Sequence, residues 1–166
     1  MNDRLTKKDI EKMEEEIEYR KLVVRKNALE DVKEARAHGD LSENFEYKAA
    51  KRVKNQNESR IRYLERMVKT AKVIEDDSDE DEVGINDTVT VYFEEDGITE
   101  EYKIVTTVRT NVREHLISIE SPLGKAIMKK HVGDRAKVNV NDSISYYVSI
   151  KEIRKSDDES EGISKY

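Results

Sequence analysis

The sequence predicts an α+β protein: a long antiparallel helical coiled-coil hairpin, then a small antiparallel-sheet domain with one short helix. Three observations predict it. Apolar or small residues recur in steps of three and four along two stretches of nearly equal length, a break containing Gly39 separates the stretches, and beyond Gly84 the period changes to two. Composition agrees, because 36% hydrophobic and 41% charged content in 166 residues leaves little for one large core.

The first arm runs from Thr6 to about Ala37, with Ile10, Met13, Ile17, Val24, Ala28, Val32 and Ala35 on one face once Arg20 is counted into the seam. Thr6-Lys7-Lys8-Asp9 has the form of a capping box, in which Thr6 caps the first free amides and Asp9 answers three residues later. No Pro or Gly interrupts the arm before Gly39. The second arm repeats the pattern through Tyr47, Ala50, Lys54, Asn57, Ile61, Leu64, Val68 and Ala71. Gly39 in HGDLSE supplies the backbone freedom for a reversal. Antiparallel pairing sets Ile17 against Leu64, Val24 against Asn57 and Val32 against Ala50, and roughly 30 residues per arm give a length of about 45 Å. The expected division is residues 1–74 for the hairpin with its tip at 38–44, 75–83 for an acidic linker, 84–155 for the sheet domain and 156–166 for a disordered tail.

In the sheet domain, Thr88–Phe93, Tyr102–Val108, Leu116–Glu120, Arg135–Val140 and Ile144–Ile153 read as strands. Asp96-Gly97, Gly133-Asp134 and Asn141-Asp142 supply turns, and Pro122 suits the first turn of a short helix reaching about Lys130 that packs Leu123, Ile127 and Met128 on the sheet.

The net charge of −6 hides an asymmetry: residues 1–74 carry +4, residues 75–82 carry −7 and the remainder −3. Glu14, Glu15, Glu16 and Glu18 face Arg62, Arg66 and Lys69 near the base of the hairpin, whereas Lys33, Arg36, Lys48, Lys51, Arg52 and Lys54 crowd the half near the tip. Such charges are most simply a solvated helix face; their one-sided excess raises the alternative of a phosphate-facing surface. The absence of cysteine excludes disulfides and thiolate metal sites and is compatible with a reducing cytoplasm. The opening residues lack the apolar stretch of a signal peptide and no apolar run is long enough to span a membrane, so a cytoplasmic protein is expected. His38, His115 and His131 are widely separated and read as surface or turn residues; there is no Gly-rich phosphate loop and no His-based zinc motif.

The tip, GDLSEN, holds the candidate chemistry. From spacing alone the stronger reading is structural, with Asp40 or Ser42 capping the second helix and Glu43 answering its dipole. Two exposed carboxylates can also complete a magnesium site that another protein has half built, because Mg²⁺ binds through one or two carboxylates and keeps water or phosphate for the rest.

The run EARAHGDLSENFEYKAAK, Glu34 to Lys51, resembles the hairpin tip of the Gre family of bacterial transcript-cleavage (transcription elongation) factors, the GreA type more nearly than the GreB type. The resemblance continues through SRIRYLERMVKTAKVIE, ISIESPLGKAI and HVGDRAKV and covers most of Leu5 to Ile153. It implies an FKBP-like fold for the C-terminal domain, without known prolyl isomerase activity. It also implies a factor that is not itself an enzyme and acts as a monomer on bacterial RNA polymerase and the 3′ end of nascent RNA. In the family the hairpin enters the secondary channel of the polymerase, and two tip acids help hold a second Mg²⁺ while the polymerase cleaves its own backtracked transcript. Asp40 and Glu43 match those catalytic, metal-sharing acids one for one; no cofactor is expected in the free protein. Arg36, Lys48, Arg52 and Lys54 are the candidate RNA contacts. Ser121, Pro122 and Leu123 match the family's docking loop, with a helix start anchored in the core as an equal reading for Pro122. Two departures stand out: VVRKNALEDV lacks a proline that many relatives carry in the first arm, and the acidic tail after Lys155 is unusual. The alternatives are a channel-occupying regulator that inhibits without promoting cleavage, and a coiled-coil adaptor whose tip acids are only caps.

Overall fold

The computed structural model describes residues 2–39 and 44–165. Its internal contacts divide the chain into two units: Met1–Asp3 with Ile10–Ala71, and Arg4–Asp9 with Lys72–Tyr166. The division departs from the sequence reading at two segments: Arg4–Asp9 and residues 72–74 group with the sheet and not with the hairpin.

Strand β1 (Arg4–Leu5) leads into helix α1 (Lys7–Tyr19), which continues through a π-helical turn (Arg20–Val24) into α2 (Arg25–Arg36). Helix α3 (Phe45–Thr70) is the returning arm. Antiparallel pairing within the first unit is recorded by Glu16 with Arg60, Arg20 with Asn57 and Arg25 with Glu58, close to the expected register. Ala28, Ala35, Ile61, Leu64 and Met67 are buried there, while Ile17, Val24 and Val32 are half-buried. The first arm is expected as one uninterrupted α-helix; the π turn is a correction. The carbonyl of Arg20 accepts both the Arg25 amide, five residues on, and the Asn57 side-chain amide at 3.3 Å. The Arg20 guanidinium meanwhile donates to Asn57 Oδ1 at 3.0 Å and to Glu16 at 2.7 Å. The widened turn therefore serves a polar layer in the seam. Burial pushes the Glu16 carboxyl up, but hydrogen bonds from Arg60 and Arg20 outweigh it and hold it below its usual range.

Strand β2 (Lys72–Val73) pairs parallel with β1, with Leu5 opposite Val73. The main sheet comprises β3 (Thr88–Phe93), β4 (Ile98–Val105), β5 (Leu116–Ser118), β6 (Arg135–Asn139) and β7 (Ser145–Arg154), in the order β5-β4-β3-β7-β6. The sheet is mixed, not antiparallel throughout. After β4 the chain makes two short 3₁₀ turns, Thr107–Arg109 and Val112–Glu114, and returns so that β5 runs parallel to β4. The second strand starts at Ile98, earlier than the Tyr102 expected, because its polar first half pairs with β3 across the Gly97 turn, Phe93 against Ile98. Gly97 sits at φ +66, which favours glycine.

Helix α4 (Pro122–Ile127) covers the sheet and ends before the expected Lys130, where Lys129 adopts a left-handed φ of 65. Its Leu123 and Ile127 join Val89, Val91, Ile104, Val138, Val148 and Ile150 in the core of the second unit. Gly124 is obligatory for this packing: a Cβ there would lie 2.0 Å from the Ser118 carbonyl oxygen.

Two stretches expected to be unstructured have defined partners within the second unit. In 75–83, Asp77 pairs with Lys129 at 2.6 Å, and the Glu82 carbonyl and Ser78 hydroxyl accept from Lys155. Residues 156–165 form no helix or strand, yet Ser156 donates its amide to Asp87 and Ser164 its amide to Val108. Pattern reading treats both as solvated because they lack apolar content; what holds them is pairing with cations distant in sequence.

Candidate functional site

Helix α2 ends with Arg36 and a turn in which His38 donates its amide to the Ala35 carbonyl at 3.1 Å. Gly39 follows at φ +135, a conformation L side chains rarely adopt. Asp40 and Glu43, the expected catalytic and metal-sharing pair, lie outside the described residues, as do Leu41 and Ser42.

On the other side of the tip, Asn44 is the N-cap of α3: its Oδ1 accepts the Tyr47 amide at 3.0 Å. The capping role expected of Asp40 or Ser42 thus belongs to Asn44, whose extended backbone (φ −86, ψ 96) and short amide side chain satisfy the first turn. Asn44 does more than cap. Its Nδ2 donates to the Ala35 carbonyl at 2.7 Å, so one side chain ties the end of α2 to the start of α3. Sequence reading passed over Asn44, although an asparagine immediately before the first apolar residue of a helix, here Phe45, is the ordinary cap signal.

Around this clamp the basic candidates sort into two sets. Arg36 donates to the Tyr47 hydroxyl at 3.3 Å and stacks over its ring at 5.4 Å. Hydrogen bonding from Arg36 holds the Tyr47 phenol below its usual range, and the charges of Lys51, Arg36 and Lys54 pull the same way. Arg36 is thus in contact with Tyr47, and Lys51 and Lys54, four and seven residues on, lie along the same side of α3 as Tyr47. Lys48 and Arg52 lie one helical turn apart on the exposed side of α3, and the Lys48 ammonium sits 5.8 Å from the ring centroid of Phe45. The four RNA candidates thus fall on two sides of α3: Arg36 meets Tyr47 with Lys54 along the same side, and Lys48 and Arg52 are exposed on the other, Lys48 beside Phe45. His38 meets Glu46 at 2.8 Å, and that hydrogen bond, with the charge of Glu46, raises the imidazole above its ordinary value.

The expected docking loop is largely internal. Ser121 caps α4 by accepting the Gly124 amide at 3.1 Å and donates its hydroxyl to the Ser118 carbonyl at 2.7 Å, while Leu123 is buried in the core. Pro122, at the helix start, is the exposed member of the three.

Among the described residues no group of three or more His, Cys, Asp or Glu is placed to hold a metal ion, and no helix is long and apolar enough to cross a membrane. The two carboxylates of Asp40 and Glu43 offer hard oxygen donors of the kind Mg²⁺ takes.

Comparison with known proteins matches residues 4–73 to the family model for the N-terminal part of the transcription elongation factors GreA and GreB, and residues 78–155 to the model for their C-terminal part. The "Transcription elongation factor GreA" of Thermoanaerobacter pseudethanolicus is 47% identical over 152 residues, 91% of this chain and 96% of the relative. That of Bacillus subtilis is 41% identical over 134 residues, 81% of this chain and 85% of the relative. A solved structure titled "Structure of the transcription factor Gfh1" aligns over 92% of this chain and 97% of its own at 24% identity, with a TM-score of 0.46. With both halves matched in order and relatives of this identity covered almost end to end, the chain belongs to the GreA/GreB family of transcription elongation factors.

Proposed function

We propose that this transcription elongation factor inserts its hairpin tip into the secondary channel of RNA polymerase and stimulates Mg²⁺-dependent cleavage of backtracked RNA. It is an accessory factor and not an enzyme in its own right. The observation that supports the reading most directly is the pair Asp40 and Glu43 in the sequence of the tip, within the stretch 4–73 that matches the family's N-terminal model.

In this reading Asp40 and Glu43 are the residues that would hold a Mg²⁺ shared with the polymerase. Such an ion supplies Lewis acidity and a lowered pKa for its bound water. The chain's own residues orient and neutralise. Arg36 at Tyr47, Lys51 and Lys54 along the same side, and the exposed Lys48 and Arg52 offer positive charge behind the tip, which offsets the repulsion between its carboxylates and RNA phosphates. Asn44 ties the end of α2 to the start of α3 on either side of the tip. The bacterial cytoplasm, where transcription runs, is the compartment this reading implies.

The test is to add the protein to stalled, backtracked elongation complexes with Mg²⁺ and to look for shortened RNA that can be re-extended. Asp40→Ala and Glu43→Ala are expected to abolish cleavage while polymerase binding survives. Cleavage by both variants at the unaltered rate refutes the metal-sharing role; binding without cleavage by the unaltered protein would make it an inhibitor of the polymerase.

A further inference from the structure

The match to the family's C-terminal model stops at residue 155, and the acidic segment that follows it is bound to the second unit by a network the family reading does not require. Its centre is Arg109, only 1% exposed. The guanidinium donates to Asp9 Oδ1 at 2.7 Å and to Asn86 Oδ1 at 2.8 Å, and then to two carboxylates of the segment, Glu161 at 2.9 Å and Glu159 at 3.2 Å. Beside it, Lys103 donates to Glu161 at 2.6 Å and to the Asp158 carbonyl at 2.8 Å. Backbone bonds pin both ends of the segment, Ser156 N to Asp87 and Ser164 N to the Val108 carbonyl.

The charge arithmetic points one way. Within the body of the unit Asp9 balances only one of the two cations, and Asp9 is already committed, accepting from the Thr6 amide and the Thr106 hydroxyl besides Arg109. A buried guanidinium and a nearly buried ammonium need further carboxylate partners. Three acids of the segment, Asp158, Glu159 and Glu161, supply them. The recess formed by Lys103, Arg109 and Asn86 therefore has the composition of a binding site for an acidic peptide, occupied by the chain's own.

We propose that residues 156–165 are a tethered acidic ligand that closes a cationic recess lined by Asn86, Lys103 and Arg109, and that this recess takes an acidic peptide of the same kind in trans once the tethered one is weakened. A tether of this length gives the internal ligand an effective concentration in the millimolar range, so an external peptide competes poorly with the intact segment. The inference rests on the second unit alone and is independent of any role for the hairpin tip.

The experiment uses the full chain. Asp158→Asn, Glu159→Gln and Glu161→Gln are introduced together, which keeps side-chain shape and removes the charges. A fluorescent ten-residue peptide with the sequence of residues 156–165, SDDESEGISK, is titrated by anisotropy at low salt into the wild type and into the variant. The variant is expected to bind the peptide about tenfold or more tightly than the wild type does. The affinity should fall with added salt and on further replacement of Lys103 by Gln, and a peptide carrying the same three amide replacements should not bind. A folding check by circular dichroism and amide exchange at Ser156 and Ser164 accompanies it, with faster exchange expected at both amides in the variant. Equal binding to the two chains, no binding to either, equal binding of the neutral peptide, or unaltered exchange overturns the proposal.

Discussion

Replacing Asn44 tests whether one side chain organises the tip. Asn44→Ala removes two hydrogen bonds, the 3.0 Å cap to the Tyr47 amide and the 2.7 Å tie to the Ala35 carbonyl. An N-cap lost to alanine costs about 1 kcal/mol, and a second hydrogen bond of this kind about another 1 kcal/mol. The sum, about 2 kcal/mol, corresponds to a ~30-fold rise in local opening at the start of α3. Asn44→Ser separates the two contributions, because a hydroxyl still caps the helix but cannot reach back to Ala35; it should lose only about 1 kcal/mol, a ~5-fold effect. Amide hydrogen exchange at Tyr47 and Lys48 reads the opening directly, and stimulated RNA cleavage should fall in the same order, Asn44 above Ser above Ala, with polymerase binding retained. Exchange in Asn44→Ala at the wild-type rate, or a loss in Asn44→Ser equal to that in Ala, would refute the clamp.

Three further outcomes are expected. Asp9→Ala should destabilise the sheet unit by about 3 kcal/mol in urea unfolding, the lower end for breaking a buried pair, because Glu159 and Glu161 still face Arg109. Gly124→Ala should cost more than a typical core change and lower the thermal midpoint, since its Cβ would meet backbone that cannot swing aside, the Ser118 carbonyl oxygen at 2.0 Å. His38 should titrate by NMR above its ordinary 6.5 and fall back toward it in Glu46→Gln. A folded-state pKa raised in this way stabilises the tip's flank fully below the unfolded value and loses that contribution as pH rises through the raised midpoint, so the flank should loosen on the alkaline side of that midpoint.

The two arms, the reversal at Gly39, the capping box at Thr6 and Asp9, and the strand Thr88–Phe93 were all legible in the sequence because each rests on local chemistry: periodicity, a glycine, or partners three residues apart. The boundaries that slipped are those that cross-strand or cross-seam partners decide. Ile98–Glu101 is too polar to read as strand until β3 is beside it, and nothing along the first arm announces a π turn that exists to bring Arg20 to Asn57. The parallel entry of β5 follows from the path of the loop before it, not from the composition of the strand.

At the candidate site the division is the same. The acids Asp40 and Glu43, the basic excess behind them and the resemblance of the run around them were all determined by the sequence. That Leu123 packs on the sheet was legible too, from its place in the short helix, whereas which residue caps α3 and that Arg36 of one arm meets Tyr47 of the other were decided only by tertiary structure, because each depends on which groups compete for one amide or one ring. Asp9 and Arg109 show the limit most clearly. A hundred residues separate them, Asp9 is half of a local cap that the sequence reveals, and its second role, facing a buried guanidinium together with acids from 156–165, exists only once the chain has folded.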